Sequence, residues 1–412
     1  MSDRIVESCR MCESSDLESV LDLGSTPPSD NFLTLEQLNK SETYYPLRLV
    51  CCKSCGLSQL SYVVDRETLF NPDYPYESGT SKFFRDHFEE MAASVTGKLN
   101  LAADDLAIDV GSNVGILTAA FQRNGVRSLG VEPVGRLAEK ANMAGAETVH
   151  AFFDPDIGQK VRDSHGAASV ITATNVFAHI DDLNAFVETI KILLKPTGVF
   201  VSESPYLLDL VQNLEYDTIY HEHLSYYSVA PMRSFFDRHG MEIIDVHPVD
   251  MHGGSLRTYV AFKGAHEVSE SVGRYLANEK EQRLQDPEAL KKFGAKAAAH
   301  KAELFEFLYE LKREGKRIVG IGAPAKGNTF LNYCNIGPEI LECLTEKAEA
   351  KVGLFAPGTH IPVLGDDFLE NEQPDFGLLL SWNLKNEIMN NLSAFSAAGG
   401  KFIIPIPNIE II

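Results

Sequence analysis

Two cysteine pairs near the start, Cys9-x-x-Cys12 and Cys52-x-x-Cys55, constrain this chain more than any other feature. Each pair offers two thiolates from one tight turn, and two such turns complete a tetrahedral zinc site. Five of the seven cysteines precede residue 56, and "MSDRIVESCRMC" has no apolar stretch of the signal-peptide kind. The expected compartment is therefore cytoplasmic and reducing, where clustered cysteines bind metal sooner than they form disulfides. Cys51 and Cys52 compete for one ligand position in "CCKSCG", and only Cys52 keeps the two-residue spacing to Cys55. Four thiolates close the coordination sphere and leave no place for water, so the expected zinc is structural.

The formal charge of −21 over 412 residues argues against general attraction to nucleic acid or anionic membrane, and no uncharged apolar run is long enough to span a bilayer. At this length two or three domains are expected. We place a zinc-binding module at 1–68, an α/β core at 69–265, and a helical linker with a second α/β domain at 266–412.

Within the core, "LAIDVGSNVGILTAAFQRNG" reads as an apolar strand, a glycine turn from Gly111 to Gly115, and a helix. The glycines lack the G-x-G-x-x-G spacing that cradles a pyrophosphate. The strand "VRSLGVEP" follows and ends in Glu132, about twenty residues on, where an acid binds ribose hydroxyls. "GAETVHAFFD", "ASVITATNVFAHIDD" and "TGVFVSESPY" supply three more strands of a doubly wound sheet.

These residues carry a resemblance. "DVGSNVG", Glu132 and "ATNVFAHI" resemble a class I S-adenosylmethionine-dependent methyltransferase. The order of zinc module, methyltransferase core, "YHEH", "HGGSLR" and a terminal "GIGAPAKGNT" resembles the sugar C-methyltransferases that act on nucleotide-linked 4-keto-deoxysugars. The resemblance implies that Asp109 faces the methionyl amino group of the donor. It also implies that Gly111, Gly115, Glu132, Phe153 and Asn175 complete the donor site.

The densest polar stretch is "EYDTIYHEHLSYYS", Glu215 to Ser228. A second metal, hydrogen-bonded packing and proton transfer compete for it. A metal would need a third ligand with suitable spacing, which nothing nearby provides. As a strand the stretch would send Tyr220, Glu222 and Leu224 to one face and His221 and His223 to the other. A carbon next to a ketone becomes nucleophilic only when its proton is removed, and imidazole titrates in the right range to take it. The resemblance puts that base at His223 rather than His221 and adds Tyr76 and His179, while the adjacent Tyr220 and Glu222 can fix the base or hydrogen-bond the enolate oxygen.

Downstream, "ALKKFGAKAAAHKAELFEFLYELKREGK" sets Leu290, Phe293, Ala297, Leu304, Leu308 and Leu311 at helical intervals, a core-facing stripe. "RIVGIGAPAKGNTFLNYC" then repeats strand, glycine turn and helix, with Lys326 placed to contact a substrate diphosphate. "HGGSLR" is read as joining the two halves, with His252 and Arg257 as substrate contacts and Arg257 pairing a phosphate. The expected partner is a nucleotide sugar, with no nucleic acid and no membrane, and the oligomeric state is open. An NAD-dependent nucleotide-sugar oxidoreductase or epimerase is the alternative, because two Rossmann-like units and a tyrosine-rich site would also suit it.

Overall fold

The computed structural model describes residues 3–70, 77–79, 82–251 and 253–412. Tyr76 and His252 lie outside the described residues. The core is organised around the strand β1 (Leu106–Val110), in which every residue is buried, as expected for a parallel strand covered on both faces. It is followed by β2 (Arg127–Glu132), β3 (Thr148–His150), β4 (Ala168–Thr174), β5 (Leu194–Pro205), β6 (Met241–Val249) and β7 (Ser255–Phe262). Their order across the sheet is β6-β7-β5-β4-β1-β2-β3. The five strands from β5 to β3 run parallel, and β7 is antiparallel to both of its neighbours. Strand order reverses between β1 and β4, so the crevice beyond their carboxyl ends is where an open α/β sheet takes its ligand.

Two expectations are corrected here. "HGGSLR" does not join the halves, because it lies at the hairpin between β6 and β7 and so within the core sheet. Residues 220–224 form no strand: the His223 N–H donates to the Tyr220 carbonyl at 2.9 Å, closing a turn. Tyr220 and His223 consequently face each other instead of opposite sides.

The N-terminal module is an antiparallel sheet of Leu17–Thr26, Tyr45–Cys52 and Ser58–Leu60, completed by Ser225–Tyr226 from the core. The end of the polar stretch is thus stitched into the cysteine-bearing module. The C-terminal unit has a six-stranded sheet whose first five strands are parallel, from Val363–Gly365 at one edge to Lys401–Ile404, with Glu410–Ile411 antiparallel beyond it.

The helix Pro287–Arg313 opens with an Asp286 cap and a proline in its first turn. It buries Leu290, Phe293, Ala297, Leu304 and Leu308 as the spacing requires, while Leu311 is half-buried. His300 shares that buried face, with Nε2 2.7 Å from the Pro405 carbonyl and Nδ1 2.9 Å from the Tyr216 hydroxyl. A residue of the polar stretch is thereby fastened to the C-terminal unit. Among the described residues no helix is long and apolar enough to cross a membrane.

Candidate active site

The four cysteines of the two pairs converge, with their sulfurs all within 4.8 Å of one another. Cys9 and Cys55 lie 3.5 Å apart, as do Cys12 and Cys52. A disulfide needs about 2.05 Å, whereas a tetrahedral zinc with Zn–S bonds of about 2.3 Å sets sulfurs somewhat under 4 Å apart. The cluster therefore fits a metal. Cys52 takes the fourth position. Cys51, its neighbour on an alternating strand, points elsewhere, with its sulfur 3.9 Å from the Gln285 carbonyl and its thiol pushed up to about 12 by burial.

At the carboxyl ends of β1 and β2 stand two buried acids. Asp109 is the fourth of five residues in β1 and accepts from Thr172 Oγ1 at 2.7 Å, while burial and the neighbouring Glu132 raise its pKa to about 7. Glu132 accepts backbone N–H groups from Asn113 and Val134, both at 2.8 Å, and burial raises its pKa as well. Two carboxylates held this close are relieved by a ligand that brings hydroxyls and positive charge. The amide oxygen of Asn175, at the end of β4, is buried and has no partner among the described residues. Phe153 packs on Phe186 at 5.2 Å beside the same sheet edge. Gly111 and Gly115 have φ of 65° and 78°, and a side-chain carbon would collide with Val176 at the first and Ala146 at the second. These residues fit an adenosine-bearing cation such as S-adenosylmethionine.

The turn at 220–223 assembles the histidine site. His223 Nδ1 lies 2.9 Å from the Thr218 carbonyl, and Nε2 lies 2.9 Å from the Tyr220 hydroxyl. A carbonyl only accepts, so Nδ1 carries the proton and Nε2 is the free lone pair. Burial lowers the His223 pKa to about 4. His179, at the end of the short helix Phe177–His179, meets His223 edge-on with ring centres 5.0 Å apart. Burial, and then the neighbouring His223, hold His179 well below the usual histidine range.

His221 is turned away, with Nε2 3.2 Å from the Tyr45 carbonyl. The electrostatic neighbours of Glu222 are Asp30 and Lys351, and burial keeps its carboxyl well above the ordinary range. The group that orients His223 is the Thr218 carbonyl.

Two substrate expectations change. Arg257 is only 5% exposed and donates through Nε to Glu203 at 2.5 Å, while His87 holds the other carboxylate oxygen at 2.7 Å. Its charge neutralises a buried acid, so a phosphate would have to displace that pairing. Lys326 stands 4.0 Å over the Trp382 ring, bonds Asn383, and feels the charges of Asp217 and Glu215. The Thr218 carbonyl and the Glu203–His87 pair were invisible to sequence reasoning, because a backbone oxygen has no signature and the pair is far apart along the chain.

Three family models match in succession: a zinc binding domain over residues 9–70, a methyltransferase domain over 83–246, and a C-methyltransferase C-terminal domain over 250–407. C-methyltransferase NovU from Streptomyces niveus is 34% identical over 410 residues, which span 99% of this chain and 97% of that protein. The chain belongs to the C-methyltransferase family.

A ubiquinone biosynthesis O-methyltransferase of Rhodopseudomonas palustris matches a shorter stretch, 26% identical over 94 residues, or 23% of this chain and 37% of that one. Among solved structures, an S-adenosylmethionine-dependent methyltransferase from Clostridium acetobutylicum is 16% identical and covers 44% of this chain and 92% of that one, with a TM-score of 0.36. This C-methyltransferase is S-adenosylmethionine-dependent and zinc-binding, with three modules in the expected order. Family membership takes the place of the NAD-dependent alternative.

Elemental analysis of the purified C-methyltransferase should give one zinc per chain, and Cys12→Ser should lower both zinc content and thermal stability. A zinc-free protein of full stability would contradict the cluster assignment. Glu132→Ala should weaken S-adenosylmethionine binding by about 1.5–3 kcal/mol in calorimetry, the range for a hydrogen bond to a charged group. Unchanged affinity would remove Glu132 from the donor site.

Proposed function

We propose that this C-methyltransferase acts on a nucleotide-linked 4-keto-deoxysugar, methylating the carbon beside the ketone with His223 as the base. The observation that carries the reading is the fixed tautomer of His223: a buried imidazole whose Nδ1–H is spent on the Thr218 carbonyl presents Nε2 as a proton acceptor. With its pKa lowered to about 4, His223 is unprotonated at neutral pH and ready to act.

Proton transfer would leave the C–H electron pair on the sugar as an enolate and make His223 an imidazolium beside it. The two opposite charges stabilise each other in a site that excludes water. Tyr220 donates its hydroxyl to Nε2 in the resting site, so an arriving C–H must displace it. The displaced hydroxyl is then within reach of the enolate oxygen, where negative charge develops. His179 stays neutral, because a second cation next to His223 is disfavoured. S-adenosylmethionine, when bound by Asp109, Glu132, Asn175, Phe153 and the glycine turn, supplies an electrophilic methyl group that the enolate carbon requires.

A nucleotide on the substrate is supported by the C-terminal unit. Glu346, at the end of its strand Leu344–Glu346, accepts from the backbone amides of Ala323, Lys347 and Ala348 at 2.9, 2.8 and 3.1 Å. That arrangement repeats the Glu132 device of the core, where an acid at a strand end grips the glycine turn of the preceding strand. Tyr76, outside the described residues, completes the proposed catalytic set with His223, Tyr220 and His179.

His223→Ala should bind donor and sugar yet lose both methyl transfer and exchange of the sugar's acidic C–H with deuterium, by about 10²–10⁴-fold in rate. His221→Ala should change either rate far less. Activity needs unprotonated His223 and is lost as pH falls through its lowered pKa, so with S-adenosylmethionine saturating, which keeps Asp109 ionised, kcat/KM for the sugar should stay flat from about pH 8 down to about pH 6 rather than fall at the usual histidine value. Wild-type exchange in His223→Ala, or a fall centred on the ordinary histidine pKa, would count against this base.

A further inference from the structure

Arg10 stands between Cys9 and Cys12 in the first cysteine turn, yet its side chain leaves that turn and enters the core, where the residue is 8% exposed. Its Nη1 donates to the Leu60 carbonyl at 3.0 Å and the Leu224 carbonyl at 3.3 Å, and its Nε to Asp181 Oδ1 at 3.4 Å. Leu224 is the residue after His223, and Asp181 lies just beyond His179. The two loops are tied directly as well, since the Leu224 N–H donates to the Ala178 carbonyl at 2.8 Å. Gln59 locks the other end of this arrangement. It accepts from the Arg10 N–H at 2.9 Å, donates to the Ser8 carbonyl at 3.1 Å, and pairs across the sheet with Ser225.

The cysteine turn, the turn bearing His223 and the helix end bearing His179 thus meet at one guanidinium. Only a planar, rigid fork can address these three directions together, which a lysine cannot do. Nη2 of the same group is buried and finds no acceptor among the described residues. Burying an arginine with one edge unpaired costs stability, so stability alone is a poor reason for its presence.

We infer that Arg10 is a positioning residue that carries the geometry of the metal-binding turn to the paired histidines, making the zinc module part of what aligns the proposed base. This rests on the reading of His223 as that base. It also gives the module a use beyond folding, because a metal holding Cys9 and Cys12 would fix the backbone from which Arg10 extends.

The test uses full-length, zinc-loaded Arg10→Met and Arg10→Lys. Zinc content and S-adenosylmethionine affinity serve as controls. ¹⁵N spectra of histidine-labelled protein read the His223 tautomer without substrate, and a thymidine diphosphate 4-keto-6-deoxysugar serves as the turnover probe. In Arg10→Met, zinc and donor affinity should stay at wild-type values, the His223 Nδ1–H signal should give way to mixed tautomers or fast exchange, and kcat should fall about 100-fold, as for a reacting group displaced by about an ångström. Arg10→Lys should recover little of it. An unchanged His223 signal with unchanged kcat would overturn the inference, and so would loss of zinc in parallel with the tautomer, since Arg10 would then serve the metal site itself. Should Arg10→Met fail to fold, Asp181→Asn keeps the guanidinium and the zinc ligands and should still perturb the His179 and His223 signals; spectra identical to wild type would again overturn the inference. His223→Ala assayed alongside separates the two readings: if it exchanges normally the base assignment falls, while the spectral test of Arg10 stands unaffected.

Discussion

One hydrogen bond, from His223 Nδ1–H to the Thr218 carbonyl, decides what the centre of this molecule can do. A buried imidazole with both nitrogens unconstrained would exchange tautomers and present a lone pair only part of the time. Held by a backbone oxygen, it presents Nε2 permanently, toward Tyr220. The bond exists because residues 220–223 turn instead of extending, and the turn is fixed on both sides. Tyr216 is anchored to His300 of the long C-terminal helix, and Ser225–Tyr226 is paired into the cysteine-bearing sheet. Each of the three modules therefore contributes a restraint to a segment of a few residues.

Burial that disfavours the charged form recurs around this segment. Asp109 and Glu132 at the carboxyl ends of β1 and β2, and Glu215 and Asp217 near Lys326, all have carboxyls raised by burial. His179, His221 and His223 are all lowered by it. Such groups are costly to bury and persist where ligands or chemistry use them. The Glu203 carboxylate shows the opposite treatment, fully paired by Arg257 and His87, and its role is to brace β5, β7 and the helix Lys82–Leu99 against one another.

Much of this was legible in the residues. The strand and glycine turn at 106–115, the acid at 132, the cysteine pairs and the stripe on Pro287–Arg313 all appear where local pattern puts them, since each depends on periodicity or short-range spacing. What pattern missed was tertiary. The alternation in "IYHEHLSYY" suggests a strand, but the carbonyls of Tyr220 and Ala178 and the side chain of Arg10 take up the backbone groups of His223 and Leu224, the Thr218 carbonyl takes the His223 ring, and the segment turns. Arg257 and Lys326 looked like open anion contacts because sequence shows a charge without its partner. Their partners, Glu203 for one and the Trp382, Asn383 and Asp217 group for the other, come from distant segments. The segment "HGGSLR" is a hairpin within the core sheet because its strand pairing is also tertiary, and its glycines let it pass close to the carboxylates of Glu215 and Asp209.

The central claim is that proton removal from the carbon beside a ketone creates the nucleophile. It is tested most directly by one NMR measurement of the product formed by the wild-type enzyme from S-adenosylmethionine labelled with ¹³C in its methyl group and a nucleotide-linked 4-ketosugar deuterated at that carbon. The account predicts a ¹³C methyl bonded to carbon, at the position that has lost its deuterium. A labelled methyl on oxygen, with the deuterium retained, would contradict it.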